Sequence, residues 1–429
     1  MRILVIGAHG LIGGYVSARL VRDGHAVVGA GREIATARRR MPMVQWVTVD
    51  LATFDSAAWR SLLEGTDAVI NCAGALQDGP RDSLHAAHVN GLQALAEACV
   101  EAGVRRFVQI SAVGVDGHAG AFNRTKCEAD NTLRATNLDW VILRPGLVLA
   151  PAAYGGSALL RGLAAFPGII PAVHADVVVH VVSVDDVAEA VARAAAPETS
   201  GRITVDLVAL QSTTLGQVLE ALRAWLGMTP ASIWSIPPIM AQSGAKLADA
   251  LAWLGWRSPM RTAAVAQLAG GVRGEVGDCV RKLGFRPREL PYILAEWPSG
   301  VQERWFARLY FIKPVALTVL AAFWIASGLI GIVSRGAAVQ ALTSAGTTTG
   351  VDQAFVLGGG IVDVVLGVLV CVRRAAPAAL RGMILVSAGY LAGSLIVRPD
   401  LWIDPLGPMV KVIPAAVLAL ATLAMMDER

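Results

Sequence analysis

The chain has 429 residues, enough for two or three domains and a sizeable buried core. Its 37 lysines and arginines against 33 aspartates and glutamates leave a formal net charge of +4, too little for a nucleic-acid footprint, so no nucleic-acid partner is expected. Only 16% of residues are charged and 55% are hydrophobic, which excludes an ordinary fully soluble enzyme and predicts that part of the chain lies in lipid. Cys72, Cys99, Cys127, Cys279 and Cys371 are scattered, with neither metal-ligand spacing nor a paired framework, and the histidines have no zinc-like spacing. No metal is expected.

Arg2-Ile3-Leu4-Val5-Ile6 opens a strand almost at once and runs into glycine. The longer apolar run and small-residue cleavage site of a secretory signal do not follow, so this half is expected to stay in the cytoplasm. Through residue 205, apolar runs alternate with helical stretches, the pattern of a parallel sheet covered on both faces. The expected strands are Ile3–Ile6, Ala26–Ala30, Gln45–Val49, Ala68–Asn71, Phe107–Ile110 and Val141–Leu143.

Gly7-Ala8-His9-Gly10-Leu11-Ile12-Gly13 leaves the first strand and opens a helix, the context in which a glycine pattern signals a dinucleotide. Gly7 permits the tight turn, Gly10 lets backbone amides approach a pyrophosphate, and Gly13 lets the helix pack on the sheet, with Leu11 and Ile12 in the first turn facing the phosphates. The fold class is therefore α/β, a Rossmann-like doubly wound parallel sheet over residues 1–205. After the second strand, where an acid would hold the ribose 2'-hydroxyl of NAD, the chain has Ala30-Gly31-Arg32. Arginine there pairs with a 2'-phosphate, so NADP(H) is preferred, with NAD(H) the alternative through Glu33. Arg38, Arg39 and Arg40 either reinforce that preference or form a solvated helix face.

Residues 206–310 form a partly helical substrate-side or linker segment with no obvious chemistry; Leu215–Leu226 is its clearest helix. Pro298-Ser299-Gly300 breaks the chain before the amphipathic stretch Val301–Arg308, which is either a membrane-surface element or a solvated linker helix.

Residues 311–429 carry four apolar runs, Phe311–Val333, Ala354–Val372, Pro377–Val397 and Met409–Met426, each suited to crossing a hydrocarbon core of roughly 30 Å as a helix. An α-helical membrane domain of four transmembrane helices is expected. Arg304, Arg308 and Lys313 precede the first run, Arg373, Arg374 and Arg381 lie between the second and third, and Arg429 follows the fourth. The positive-inside rule then places both termini in the cytoplasm, in a multi-pass protein of the inner (cytoplasmic) membrane. Asp363, near the centre of the second run, needs a polar partner, protonation or an aqueous cavity.

Gly7-x-x-Gly10-x-x-Gly13, Asp50-Leu51, Asn71-Cys72-Ala73-Gly74, Asn90 and Arg144-Pro145-Gly146 together resemble the atypical short-chain dehydrogenase/reductase family, over residues 1 to about 205. The resemblance implies that Asp50 and Leu51 hold the adenine ring, that Asn71, Cys72, Ala73, Gly74 and Asn90 line the cofactor, and that Arg144-Pro145-Gly146 begins the substrate-side lobe. Val181 to Ala188 resembles the family's late strand-to-helix entry, with Asp185 a helix N-terminal residue rather than a catalyst. The family's catalytic Tyr-x-x-x-Lys pair is matched by Phe122-Asn123-Arg124-Thr125-Lys126, which keeps the lysine and lacks the tyrosine. Phenylalanine has no exchangeable proton, so the usual acid/base chemistry is unavailable there. Ser111 is the nearest hydroxyl, and Val113 occupies the position where the family places its serine or threonine. Lys126 and Ser111 are the catalytic candidates.

Gly360-Ile361-Val362-Asp363-Val364-Val365-Leu366-Gly367 and Leu401 to Lys411 resemble the DoxX-like membrane family, which includes quinone-linked oxidoreductase subunits. The tyrosine-less first half is also similar to the NADPH-binding accessory subunit of respiratory complex I, where the nucleotide can be structural. Two functions follow from these resemblances. One is a membrane-anchored NADP(H)-binding oxidoreductase for a lipid-soluble substrate such as a quinone, with Asp363 a proton or headgroup contact. The other is a non-catalytic NADP(H)-binding sensor or assembly protein, with Asp363 an interhelical hydrogen bond and an oligomer or membrane protein as partner.

Overall fold

A central parallel sheet of seven strands is the frame of the computed structural model, which describes residues 1–54, 56–74, 78–79, 83–117, 120–256, 258–343, 349–405 and 407–427. Leu406 and Arg429, used above, lie outside these residues. The first six strands are β1 (Arg2–Ile6), β2 (Ala26–Gly31), β3 (Gln45–Thr48), β4 (Ala68–Asn71), β5 (Arg106–Ile110) and β6 (Asp139–Pro145). All six expected strands are present. The seventh, Ile203–Leu207, pairs with β6 at the sheet edge and was not among them.

Alternate residues of each strand go to opposite faces, and both faces are covered, which explains why the central strand β1 reads as the unbroken apolar run Ile3–Ile6. Ile3, Val5, Ile70, Val108 and Val141 enter one core, and Leu4, Ile6, Val69, Phe107 and Ile142 enter the other. The strand order is Ile203–Leu207, β6, β5, β4, β1, β2, β3, so the direction of winding reverses between β1 and β4. A crevice at the carboxyl ends of these two strands is where such a sheet binds its ligand. The register Ile6↔Ala30 and Ile6↔Asn71 brings Gly7, Gly31 and Cys72 to that edge.

The chain divides into two units, Met1–Asp249 with Ser258–Ala307, and Ala250–Arg257 with Arg308–Arg429. In the first unit a further core gathers Leu149, Ile170, Val179, Val218, Leu219 and Ile293 beside the main sheet. It is built by three short two-stranded sheets and the helices Gly155–Ala164, Leu215–Trp225 and Leu290–Glu296. The helix Val184–Ala195 starts at Ser183, whose hydroxyl accepts from the Asp186 amide at 2.9 Å; Asp185 stands in the first turn, as expected.

The second unit is helical. Among the described residues three helices are long and apolar enough to cross a membrane: Val301–Val333, Asp352–Leu369 within Thr349–Leu369, and Ala376–Val397. The fourth expected span is the shorter helix Pro408–Ala424, whose 17 residues reach about 25 Å. Val301–Arg308 runs without a break into the first span, as the start of one helix of 33 residues, Val301–Val333, with Pro314 inside it. Small residues let the first two spans approach closely. A Cβ on Gly328 would lie 2.4 Å from the Gly360 carbonyl oxygen, and one on Gly367 would lie 2.7 Å from Ile325. Large apolar side chains such as Ile330, Phe355, Leu385 and Ile396 point outward.

Candidate cofactor site

The phosphate-facing end is made of backbone. Gly7 has φ +73°, a conformation that favours glycine, and its amide donates to Ala30 O at 2.8 Å. A Cβ on Gly7 would lie 2.9 Å from the Ala73 amide nitrogen, and one on Gly13 would lie 2.2 Å from Gly7 O, so neither position accepts a side chain. Gly10 caps the helix Leu11–Arg22 with extended backbone; no side chain caps it and no acid occupies its first turn. The amides of this turn, Leu11 and Ile12 included, therefore face the crevice with the positive end of the helix dipole behind them. This donor set and its side-chain-free cradle fit a pyrophosphate.

Asn71 closes the other wall. Its Oδ1 accepts from the Ala73 amide at 3.0 Å and its Nδ2 donates to Gln109 Oε1 at 2.9 Å, which fixes the Asn71-Cys72-Ala73-Gly74 turn. Arg32 follows β2 directly and is exposed, as are Glu33 and Arg38 to Arg40. His9 was not singled out by sequence. Its ring lies where a side chain on Gly31 would point, 2.2 Å from that Cβ position, so it stands at the Arg32 end of the glycine turn. Asp50, exposed, accepts from the Ala52 amide at 3.2 Å; Leu51 is buried under Gly91. Asn90 is exposed at the end of a π-helical turn, Ala86–Asn90.

The other end of the crevice is made of side chains. Phe122 and Lys126 lie one turn apart on the helix Ala121–Arg134. Lys126 is buried and its Nζ donates to Ile110 O at 3.0 Å; burial draws the amine down to about 8, against the pull of Asp130 and Cys72. Burial pushes the Cys72 thiol up to about 12, so it remains a thiol. A Cβ placed on Gly74 would lie 3.4 Å from Lys126 Nζ and 3.5 Å from His88 Nε2, so both groups converge above Gly74.

His88 is the residue that sequence reasoning missed. The π-helical turn carries it into the crevice, where Nδ1 lies 2.9 Å from Thr125 Oγ1. The Thr125 hydroxyl gives its one proton to Ala121 O or Phe122 O, at 3.0 and 3.1 Å, so its oxygen accepts from Nδ1. Burial and the nearby Lys126 lower the imidazole to about 3, which keeps it neutral. The Phe122 ring meets His88 edge to face at 5.8 Å. A signal existed in the sequence only as a lone histidine two residues before Asn90.

Ser111 is directed elsewhere. Its hydroxyl donates to Asp130 Oδ2 at 3.0 Å, and the same oxygen accepts from Arg144 at 2.9 and 3.2 Å. Arg144 also makes a two-point pair with Asp116, at 2.5 and 3.0 Å. Ser111 thus belongs to an ion-pair network with Asp130, which is one turn beyond Lys126 on the same helix, and Arg144, while buried Val113 offers no hydroxyl. Pro145 ends β6 next to this network and receives the Val113 amide at 3.2 Å. Among the described residues no group of acids, histidines and cysteines could hold a metal.

In the second unit, Asp363 accepts from Tyr390 at 3.1 Å and from Ser327 at 3.3 Å, so three helices share one hydrogen-bonded cluster. The polar partner expected for this carboxylate is present.

Residues 7–198 match the family described as NAD(P)H-binding, and residues 321–420 match the DoxX-like family. An uncharacterized protein of Mycobacterium tuberculosis is 29% identical over 52% of this chain, which covers only 23% of that relative's length. The 40 kDa subunit of the mitochondrial NADH-ubiquinone oxidoreductase of Neurospora crassa is 26% identical over 50% of this chain and 58% of its own. Sterol demethylase protein B of Methylococcus capsulatus is 28% identical over 71% of this chain and 99% of its own. In fold, the chain is similar to an NADPH-dependent quinone oxidoreductase of Escherichia coli solved with NADPH, at a TM-score of 0.55 and 19% identity, covering 68% of this chain and 99% of that one. The chain joins an NAD(P)H-binding domain at its N-terminus to a DoxX-like domain, rich in apolar helices, at its C-terminus.

Proposed function

We propose that this protein is a membrane-anchored oxidoreductase that prefers NADP(H) and reduces a lipid-soluble substrate of the quinone class. One observation carries the reading: a dinucleotide crevice whose lysine is retained and whose tyrosine is replaced by Phe122 sits in the same chain as membrane-type helices. The bound cofactor supplies hydride. Reducing an isolated ketone leaves a strongly basic alkoxide, which needs a positioned acid such as tyrosine. A quinone that accepts hydride leaves an aromatic hydroquinone monoanion, which is weakly basic and takes its remaining proton from Lys126 or water. The overall change balances as quinone, NADPH and one proton giving hydroquinone and NADP. The missing tyrosine therefore selects the substrate class rather than abolishing chemistry. The similarity to a quinone oxidoreductase of known fold and to a sterol demethylase protein is in keeping with an apolar substrate.

In this reading the amides of Leu11 and Ile12 hold the pyrophosphate, which the bare Gly10 and Gly13 allow to approach, Arg32 pairs with the 2'-phosphate, Asp50 and Leu51 flank the adenine, and Lys126 holds the nicotinamide ribose. Residues 206–310 form the substrate side, and both termini face the cytoplasm of the inner membrane. The full chain in nanodiscs with NADPH and a soluble quinone analogue tests it by absorbance: NADPH is consumed faster than in buffer. Tight NADPH binding with no oxidation across quinones and carbonyl compounds would overturn it. The second reading, a non-catalytic NADP(H) sensor or assembly protein, would then stand, and Phe122 is the observation that favours it.

A further inference from the structure

The helix Pro238–Trp253 is built inside out for a protein in water. Its small residues Ala241, Ala245, Ala248 and Ala252 are buried, spaced three to four apart on one face. Its large apolar residues are on the surface: Ile239 is 73% exposed, Leu247 62% and Trp253 79%, with Met240, Leu251 and Leu254 exposed beside them. A helix in water buries the large side chains and shows polar ones. Exposed apolar surface on this scale marks a binding face.

What covers it follows from where the helix ends. Residues 250–257 belong to the second unit. Trp256 Nε1 donates to Cys371 O at 2.7 Å, the Arg373 amide donates to Leu254 O at 2.9 Å, and the Arg373 guanidinium lies over the Trp256 ring at 5.6 Å. Arg373 also donates to Met426 O at 2.9 Å. Cys371 and Arg373 follow the second span, and Met426 follows the last apolar helix, so these contacts mark one end of the helical bundle. Trp253, Leu254 and Trp256 are thereby held at the level where the spans leave hydrocarbon, the depth that tryptophan favours in membranes. Arg374 and Arg381, which follow Arg373 closely in the second unit, are exposed, a positive charge that suits anionic headgroups.

We propose that Pro238–Trp253 is an interfacial helix whose face of Met240, Leu247, Leu251 and Leu254 lies in the headgroup and acyl boundary of the leaflet at that end of the bundle. The proposal rests on the second unit spanning a membrane, and the test separates the two claims. A photoreactive benzoylphenylalanine is placed at position 251 of the full chain, with the same residue at the outward-facing Leu385 of the third span and at exposed Met43 in the first unit as references. The protein is reconstituted in nanodiscs of mixed phosphatidylcholine and phosphatidylglycerol, illuminated and read by mass spectrometry. Position 251 should capture phospholipid several-fold more than position 43, at a level approaching position 385. Lipid capture at 385 but not at 251 overturns the interfacial helix and leaves the spans intact. Capture at neither position overturns both claims. A crosslink from 251 to a second copy of the chain overturns the lipid assignment in favour of a self-association face.

Discussion

The two ends of the crevice are built from different materials. At the glycine turn everything that would hold the pyrophosphate is backbone, and a Cβ at Gly7 or Gly13 collides with main-chain atoms. At the Lys126 corner everything is side chain: Lys126, His88 and Thr125 converge there while Phe122 and Val113 bring no proton. Backbone geometry tolerates no substitution, so that end keeps its pattern. A side-chain constellation can be rewritten one residue at a time, so chemistry can change while cofactor binding persists.

Arg144→Met should have the largest effect, because it strands the buried Asp130 carboxylate one turn beyond Lys126 on the same helix. Breaking such a pair costs about 3–5 kcal/mol, read by urea unfolding of the first unit. Burial already raises the Asp130 carboxyl above its ordinary value while Arg144 draws it down. Without Arg144 the raised value rises further; a carboxyl raised in the folded state favours folding at low pH and loses that contribution as pH climbs through the raised value. The variant should accordingly regain stability in mild acid. Equal stability of the variant and the wild type at neutral pH would show that the corner does not lean on this network.

Gly13→Val comes next. Its side chain must displace Gly7 O, at a cost of about 1–3 kcal/mol, and NADPH binding measured by fluorescence titration should vanish. Retained affinity would move the cofactor away from the glycine turn.

Lys126→Met should weaken NADPH by about tenfold, near 1.4 kcal/mol, as expected for one lost charged hydrogen bond. The sign of the pH dependence distinguishes this role from packing. Lys126 loses its charge above about 8, so wild-type affinity should fall as pH rises through that value. Calorimetry of Lys126→Met should give a flat profile, and a matching decline in the variant would assign the titration to another group. His88, lowered to about 3, contributes no inflection near neutrality.

The smallest change is expected from Phe122→Tyr. Because a hydroquinone anion needs no strong positioned acid, steady-state NADPH oxidation with a quinone analogue should change by less than about twofold. A large gain with a simple ketone would show that the corner is a tyrosine enzyme lacking only its tyrosine.

What could be read from sequence follows the same division between local and assembled features. β1 and β4 are legible because both faces are buried, leaving apolar runs such as Ile3–Ile6 and Ala68–Ile70. Ile203–Leu207 is not, since an edge strand carrying Thr204 and Asp206 lacks that signature. The glycine turn is legible because its demands are local. His88 and Lys126 are 38 positions apart, and nothing in the sequence near either one announces the other. Asp130, Arg144 and Asp116 likewise meet only through the folded sheet. The helix Pro238–Trp253 lies within a segment in which only Leu215–Leu226 reads as a clear helix, and which of its faces is buried is decided by packing.

The short piece Ala250–Arg257, which sits between two stretches of the first unit, sets an order of biosynthesis. A ribosome makes it long before its partners: the Trp256 bond to Cys371 closes a loop of 115 residues. Neither Cys371 nor Arg373 exists until two hydrophobic spans have been synthesised. The Trp256 bond must therefore form late, after insertion of the nascent chain has begun, so this piece of the second unit waits for its partners while the stretches of the first unit on either side of it in sequence are already made.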